Sequence, residues 1–409
     1  MGEFTDKVCI VGCGETAHMR PSNRTTLSMG IEAVKKACDD AGMDPREVDG
    51  ITSYNVMDST SGMAIAEALG MRLNYQVDIM GGGSSSEALI AHAVGLIVGG
   101  YCNNMIIFRS MNGRSGRRMG GQSPSGPAAA MPVSGPTLNQ LYGFTTPAQY
   151  FGMTCMRYMK DYGLKNEALG AVAIAHRKHA LLNPKSIMRP QGPIKMEDYL
   201  ASRWVAKPFR LLDCCLETDV AAAILLTKRE RAFDLRHPPV YIRGGTARVM
   251  TDNPMWNYSR DVIHEVAGFY GRNRMFGMSG VTPKDVSMTS SYDAFTFTTL
   301  IQLEAYGFVP RGEAGPYILD GNLEIDHPGG RPNNLSGGHL SEGYTHGISM
   351  VIENVRQLRH RADDFCPRSQ EGIHTYDRSK GCRQVKNAEV AACLGWGMET
   401  MSSTCILRR

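Results

Sequence analysis

Two short stretches of the C-terminal half hold the side chains best suited to move protons. Ser290-Ser291-Tyr292-Asp293-Ala294-Phe295-Thr296 sets a phenol beside a carboxylate. Gly337-Gly338-His339-Leu340-Ser341-Glu342-Gly343-Tyr344-Thr345-His346-Gly347 sets a second phenol between two imidazoles. Tyrosines on glycine-lined turns can pass protons and can donate to a developing oxyanion. A phenol with its ordinary pKa near 10 is only about 0.1% ionised at pH 7, so a basic tyrosine calls for a neighbouring donor or cation. His346, two residues after Tyr344, and His339 are the sequence-near candidates. Tyr292 also reads as an ordinary aromatic at a strand end, whereas the polar loop of Tyr344 is not where a core aromatic is expected.

Other chemistry-bearing residues are less specific. Cys393-Leu394-Gly395-Trp396-Gly397 offers a thiol between glycine turns, a pattern that a small buried cysteine satisfies equally well. Ser84, Ser85 and Ser86 follow the run Gly81-Gly82-Gly83 and read as hydroxyls capping a helix. His176 and His179 have a helical spacing that can bind metal, but no third ligand is evident and Arg177 and Lys178 lie between them. Cys214-Cys215 reads as packing within a core segment. No metal site is expected.

The elements that must position these groups alternate in type. Lys7–Gly12 reads as a buried strand, Leu27 to Ala37 as a helix entered from Thr25 or Thr26 and stopped by Gly42, and Val48–Tyr54 as a second strand. Ser84–Val98 follows as a helix and Met105–Arg109 as a strand, so this half is expected to be α/β with a largely parallel sheet. Gly42 to Tyr54 then recurs without a gap as Gly280 to Tyr292, with five of thirteen positions identical, the pattern of a duplicated unit. Between the halves Met111–Thr146, rich in Gly, Ser, Pro and Met, carries Arg114, Arg117 and Arg118, either as a surface loop or as a cover touching an anionic substrate handle. It has no Gly-Lys-Ser/Thr ending and is no phosphate-cradling loop. Helical patterns follow over Ala148–Tyr162 and Asn166–Leu182.

Composition narrows the class. The 409 residues, 42% hydrophobic and 21% charged, can bury a large core. A formal net charge of +4 points to no nucleic-acid or membrane partner. Eleven scattered cysteines without a Cys-x-x-Cys pair fit a reduced compartment. The charged start lacks a signal-peptide pattern, and the apolar run Ala88–Gly99 is too short to span a bilayer. A soluble cytoplasmic protein is the expectation.

The tyrosine motifs stand in an ordered set with Arg177–Ala180, Asn183-Pro184, Ser202–Trp204, Pro208–Cys215, Ile301–Glu304 with Gly307-Phe308, and Val355–Arg359. As a set they resemble the thiolase superfamily over nearly the whole chain, in its lipid-transfer or sterol-carrier thiolase-like branch. Within that branch the sequence is most similar to the steroid side-chain-cleaving aldolases of bacterial sterol and bile-acid degradation. The resemblance implies a five-layered αβαβα thiolase fold of two duplicated halves: residues 1–238, with a loop insertion over about 111–236, and residues 239–409 with the tyrosine motifs. It also implies a homodimer, and a heteromeric complex with a small OB-fold and zinc-ribbon acyl-CoA-binding protein or a hydratase carrying that domain.

The departures from thiolases direct the functional expectation. Thiolases carry Asn- or His-Glu-Ala-Phe where this chain has Tyr292-Asp293-Ala294-Phe295, and Gly-His-Pro-x-Gly where it has Gly343-Tyr344-Thr345-His346-Gly347. Gly82 falls where the nucleophilic cysteine belongs, so acyl-enzyme thiolysis is disabled. By resemblance Tyr292 and Tyr344 are the catalytic pair of a retro-aldol cleavage of a β-hydroxyacyl-CoA, with Tyr344 as base at the hydroxyl and Tyr292 as acid or donor at the enolate. Asp293, His339, His346 and Cys393 are supporting candidates, and Gly82, Gly338 and Gly395 are candidates for lining the substrate. CoA enters as part of the substrate, with no dissociable cofactor. Two alternatives stay open: a divergent acyltransferase using Cys393 or a serine on a 3-oxoacyl-CoA, and a non-catalytic lipid-binding or scaffold subunit.

Overall fold

The computed structural model describes residues 2–116, 142–144, 146–251, 262–362, 376–397 and 400–409. Arg117 and Arg118, and most of the segment between Cys366 and Cys382, lie outside the described residues.

The opening apolar run forms β1 (Val8–Glu15), whose Val8 and Ile10 enter one apolar cluster while Cys9 and Val11 enter another. That is the period-two pattern of a strand covered on both faces. The Thr25 hydroxyl accepts the Ser28 N–H at 3.1 Å to start α1 (Thr26–Ala41), which ends at Gly42 in the left-handed conformation, φ +73°. A 3₁₀ turn at Pro45–Glu47 leads into β2 (Gly50–Asn55), then α2 (Gly62–Leu69), β3 (Tyr75–Met80), α3 (Ser85–Val98) and β4 (Asn104–Asn112). After α4 (Pro147–Tyr162) and α5 (Asn166–Leu182) the chain returns as β5 (Asp219–Lys228).

The C-terminal half repeats this plan. β6 (Val240–Met250) leads to α6 (Gly268–Ser279), which stops at Gly280 with φ +67° before a 3₁₀ turn at Pro283–Asp285 and β7 (Met288–Ser291). α7 (Thr296–Ala305), α8 (Ile348–Leu358), β8 (Val390–Gly397) and β9 (Met401–Arg408) complete it.

One nine-stranded sheet runs β3-β2-β4-β5-β1-β6-β9-β8-β7, and β1 meets β6 at only two residue pairs, Cys9↔Tyr241 and Ile10↔Val240. Outward from that seam, β1-β5-β4-β2 and β6-β9-β8-β7 have the same senses: antiparallel, antiparallel, parallel. The sequence echo is therefore a repeated topology. α3 and α8 share the apolar layer between the half-sheets, α1 covers the outer face of the first, and α6 covers that of the second, which gives the αβαβα order. Fully burying each Val, Leu or Ile of these layers contributes roughly 1.5–3 kcal/mol.

Two expectations are corrected. In the first half only β2–β3 and β2–β4 are parallel. β4 and β5 are antiparallel because they form the arms of a hairpin, not strands joined by a helical crossover. The insertion is shorter than 111–236, since Met111 lies in β4 and Asp219–Lys228 is a sheet strand. The excursion occupies residues 113–218, where the second half has only residues 398–400 between β8 and β9. Its helices α4 and α5 pack with α7 around Phe151, Tyr199, Phe209 and Phe295, and this cluster reaches Tyr292 and Tyr344.

Candidate active site

β7 ends at Ser291, and the backbone N–H of Tyr292 still donates to the Leu394 carbonyl of β8 at 2.9 Å. Tyr292 is thereby aimed from a strand end over the start of the central helices. Tyr344 comes from the loop before α8, where the Thr218 hydroxyl accepts its N–H and donates to its carbonyl, both at 2.9 Å. The two phenol oxygens meet at 2.5 Å, and the rings are 5% and 8% exposed. Fifty-two residues of chain separate them.

The glycine run before α3 makes room for this pair. A Cβ on Gly83 would stand 2.2 Å from Tyr292 Cε2 and Cζ, and 2.5 Å from the Trp396 carbonyl oxygen. Tyr292 thus fills the space beside the helix start that a side chain at 83 would need. Gly82 is half-buried, and the three nearest atoms to a Cβ there would all belong to the His346 ring, at 3.2, 3.8 and 3.9 Å. α3 begins just after Gly83 and α8 just after Gly347, and a Cβ on Gly347 would lie 3.7 Å from the Gly83 carbonyl oxygen and from Tyr292 Cδ2. Two helix N-termini, each with a partial positive charge, therefore converge on the phenols.

Asp293 organises one flank. Its Oδ2 lies 2.9 Å from His176 Nδ1, and its Oδ1 lies 3.2 Å from His339 Nδ1 and accepts the His339 N–H at 2.9 Å. Burial would raise this carboxyl, but the hydrogen bonds from His176 and His339 outweigh it and hold Asp293 well below the usual carboxylate range. His339 Nε2 accepts the Gly347 N–H at 3.1 Å, so it positions the α8 start. Its ring lies 4.8 Å from that of Tyr292 and 4.9 Å from that of Tyr344. Gly338, at φ +59°, leaves the room Asp293 occupies, since a Cβ there would stand 2.2 Å from Oδ2. Gly338 is buried against a carboxylate, not against substrate space.

His346 and a partner that sequence reading missed form the other flank. Arg109, from β4, is buried; its Nη2 lies 2.6 Å from Asp58 Oδ2 and 3.3 Å from His346 Nδ1. Burial, reinforced by Arg109, pushes the His346 imidazolium down to about 3, so the ring is neutral at physiological pH. Burial also raises both phenols well above their usual value; the Tyr292 hydroxyl and then Arg109 pull Tyr344 the other way, while Asp58 opposes them. The expectation of a histidine that lowers a tyrosine is therefore corrected: the nearby cation is Arg109, and the resting pair is neutral. Arg109 was hidden because it lies in an apolar strand, 183 positions before Tyr292 and away from any motif.

The remaining candidates sit elsewhere. Cys393 lies in the central apolar layer, its Sγ accepts from Asn354 Nδ2 at 3.0 Å, and burial drives its thiol far up, so it offers no thiolate at neutral pH. A Cβ on Gly395 would stand 2.3 Å from Glu87 Oε2, so this glycine houses a buried glutamate. Glu87 is pushed up to about 7 by burial, with the Ser86 and Ser403 hydroxyls donating to Oε2. None of the three serines caps α3 through a side-chain bond; Ser85 Oγ accepts from Arg248 and Ser86 serves Glu87. His176, noted for a metal-like spacing, instead holds Asp293 and lies 3.0 Å from Asn333 Oδ1, while His179 Nδ1 meets the Asn334 carbonyl at 3.3 Å.

The arrangement can pass a proton between two contiguous phenols and can place neutral N–H donors and helix ends around an oxyanion. It offers no thiolate at the start of α3. Residues 252–375 match the family model described as Thiolase C-terminal domain-like. The chain is 40% identical over 363 residues to the 17-hydroxy-3-oxo-4-pregnene-20-carboxyl-CoA lyase of Mycobacterium tuberculosis, covering 87% of this chain and 92% of that protein. It is 37% identical to the steroid side-chain-cleaving aldolase of Thermomonospora curvata, covering 88% and 92%. Among solved structures, the Ltp2-ChsH2(DUF35) aldolase superposes with a TM-score of 0.84 at 30% identity, covering 99% of this chain and 98% of that one.

Proposed function

The chain belongs to the thiolase-fold family of steroid side-chain-cleaving aldolases, and on that premise we propose that it cleaves a β-hydroxyacyl-CoA steroid side chain by a retro-aldol reaction run through Tyr344 and Tyr292. The observation that carries this reading is the 2.5 Å contact between the two phenol oxygens beside the glycine run. Neutral phenols suffice if the proton travels along the pair. Tyr344 accepts the substrate's hydroxyl proton as it passes its own to Tyr292, and Tyr292 in the same step gives its own hydroxyl proton to Cα. The Cα–Cβ bond breaks as these transfers proceed, leaving a carbonyl on the steroid, with enolate charge gathering on the thioester oxygen only until Cα is protonated. Both phenols end as neutral as they began. Net charge never builds on a buried phenol, which meets the cost that burial sets against tyrosinate. Arg109, behind His346, favours the transient negative character at Tyr344, which suits that tyrosine to the basic end.

The substrate class follows that of the relatives: a steroid with a hydroxyl β to a CoA thioester, from sterol or bile-acid side chains. Cleaving a 17-hydroxy-20-carboxyl-CoA between C17 and C20 leaves, by atom balance, a 17-ketone and propionyl-CoA. CoA comes with the substrate, and the relay uses no dissociable cofactor. The likeness to the Ltp2-ChsH2(DUF35) aldolase over nearly the whole chain supports a complex with a DUF35 partner of the OB-fold and zinc-ribbon kind. A homodimer through the open edge of β3 is favoured by its exposed Val77 and Met80, 42% and 56% accessible. No helix among the described residues is long and apolar enough to cross a membrane.

Mass spectrometry of a 17-hydroxy-20-carboxyl-CoA steroid, incubated with and without a co-expressed DUF35 protein and without free CoA, tests the reading. Ketone plus propionyl-CoA is the expected result. Cleavage confined to a 3-oxoacyl-CoA, and only with free CoA added, would restore the thiolase alternative.

A further inference from the structure

We propose that the Nε2–H of His346 receives the thioester oxygen as it becomes an enolate, so that a neutral imidazole is the electrophilic catalyst beside the tyrosine pair. The proposal rests on the retro-aldol reading and names the group that carries its developing charge.

The tautomer comes from the partner of Nδ1. A guanidinium has only N–H groups to offer, so Arg109 Nη2, at 3.3 Å, donates to Nδ1 and leaves the ring proton on Nε2. Arg109 cannot turn away, because Asp58 Oδ2 holds the same nitrogen at 2.6 Å and its Nη1 donates to the Ser110 carbonyl at 2.9 Å. The Arg109 and Asp58 side chains are 0% and 3% exposed. The imidazole therefore works as an uncharged donor, in keeping with its low pKa, and keeps its proton through the reaction.

The ring is also held in place. His346 has φ +59°, a left-handed conformation that costs a non-glycine residue energy and persists only where its surroundings impose it. Here the Tyr54 hydroxyl donates to its carbonyl at 2.9 Å, Thr218 grips Tyr344 on one side, and Gly347 N–H is tied to His339 on the other. Nε2 is aimed outward: it lies 3.2 Å from the point a Cβ on Gly82 would occupy. Among the described residues no protein acceptor is shown bonding Nε2, and the nearest atoms to a Cβ on Gly82 would be those of the His346 ring alone, so the missing side chain leaves room there for a ligand atom. Tyr344 and Tyr292 border it, with ring centroids 5.1 and 6.4 Å from the imidazole. When the Cα–Cβ pair flows into the thioester, charge collects on its oxygen; a hydrogen bond aimed there lowers the barrier, and the charge returns to Cα as Tyr292 protonates it.

The test compares His346→Phe, which removes the donor, with His346→Gln, which keeps an N–H, both as complexes with the DUF35 partner and both checked by circular dichroism. Two rates are read: steroid cleavage, and exchange of the α-hydrogens of propionyl-CoA with D₂O, which needs the enolate but no C–C bond breaking. Loss of one oxyanion donor predicts a 10²–10³-fold fall in kcat for His346→Phe with little change in KM, a parallel fall in exchange, and partial recovery in His346→Gln. His346→Phe, folded, with cleavage and exchange both within about threefold of wild type would overturn the proposal and leave the aldolase reading standing. So would lost cleavage with wild-type exchange. Wild-type enzyme that exchanges through His346 but cleaves no steroid would keep the enolate donor and sink the cleavage reading.

Discussion

Tyr54 and Tyr292 end equivalent strands of the two halves, within matching thirteen-residue segments, yet they are used differently. Tyr54 is fully buried and spends its hydroxyl on the carbonyl of His346. Tyr292, nearly as buried, presents its hydroxyl to another phenol. The difference lies in what each hydroxyl meets: the loop of Tyr344 and His346 offers Tyr54 a backbone carbonyl and offers Tyr292, beside the glycine run, a second phenol. Duplication thus supplied two like positions, and the loop between β7 and α8 gave one a phenol partner and tied the other to its own backbone.

The comparison breaks most visibly in kinetics. Tyr344→Phe and Tyr292→Phe each remove a link of the relay and are expected to lower kcat for steroid cleavage by about 10²–10⁴-fold without unfolding the protein. Tyr54→Phe deletes one buried hydrogen bond and should cost about 1 kcal/mol of stability, read as a lower Tm, with a smaller loss of rate. Equal kinetic loss in Tyr54→Phe and Tyr292→Phe would erase the distinction between clamp and catalyst.

A steric test comes next in size. Gly83→Ala places a methyl where the Tyr292 ring stands and should cost roughly 1–3 kcal/mol while displacing the phenol. The same change in a Tyr292→Ala background should be milder. Additive denaturation energies in that double-mutant cycle would mean that the two side chains do not compete for the space.

The smallest effect concerns the two central helices. The first turn of α3 buries Glu87, whereas α8 has no acidic residue in its first turn. Because the folded-state pKa of Glu87 is raised to about 7 from an unfolded value near 4.3, the native state binds the extra proton between those values. Its contribution to stability therefore falls as pH rises from about 4 to 7. Glu87→Gln should flatten that fall, measured as urea midpoints across this range. An unchanged slope would mean that Glu87 is ionised in the fold.

Much of this was legible in the chain. Apolar periodicity and caps located β1, α1, α3, α4 and α5, because local chemistry decides them: the Thr25 cap and the Gly42 stop lie within a turn of the residues they serve. The duplicated segment announced the repeated topology. Tyr344 stood out because a phenol in a glycine-flanked turn has little structural reason to be there, and Tyr292 through the family motif it interrupts. Sheet sense was not legible: whether β4 and β5 run parallel depends on how residues 113–218 return, not on the strands themselves.

The division within the site has the same origin. Residue types and motif order determined the family and pointed to Gly82 in place of the thiolase nucleophile and to Tyr292 and Tyr344 as a pair. Only tertiary structure decided who faces whom: Arg109 behind His346, His176 on Asp293, Cys393 turned into the core, and Gly338 and Gly395 against carboxylates. Protonation state depends on burial and on neighbours within a few ångströms, and those neighbours come from segments tens to hundreds of residues apart. A sequence can therefore supply a histidine beside a tyrosine, but only the fold determines that this histidine is neutral and that the charge near it belongs to an arginine from another strand.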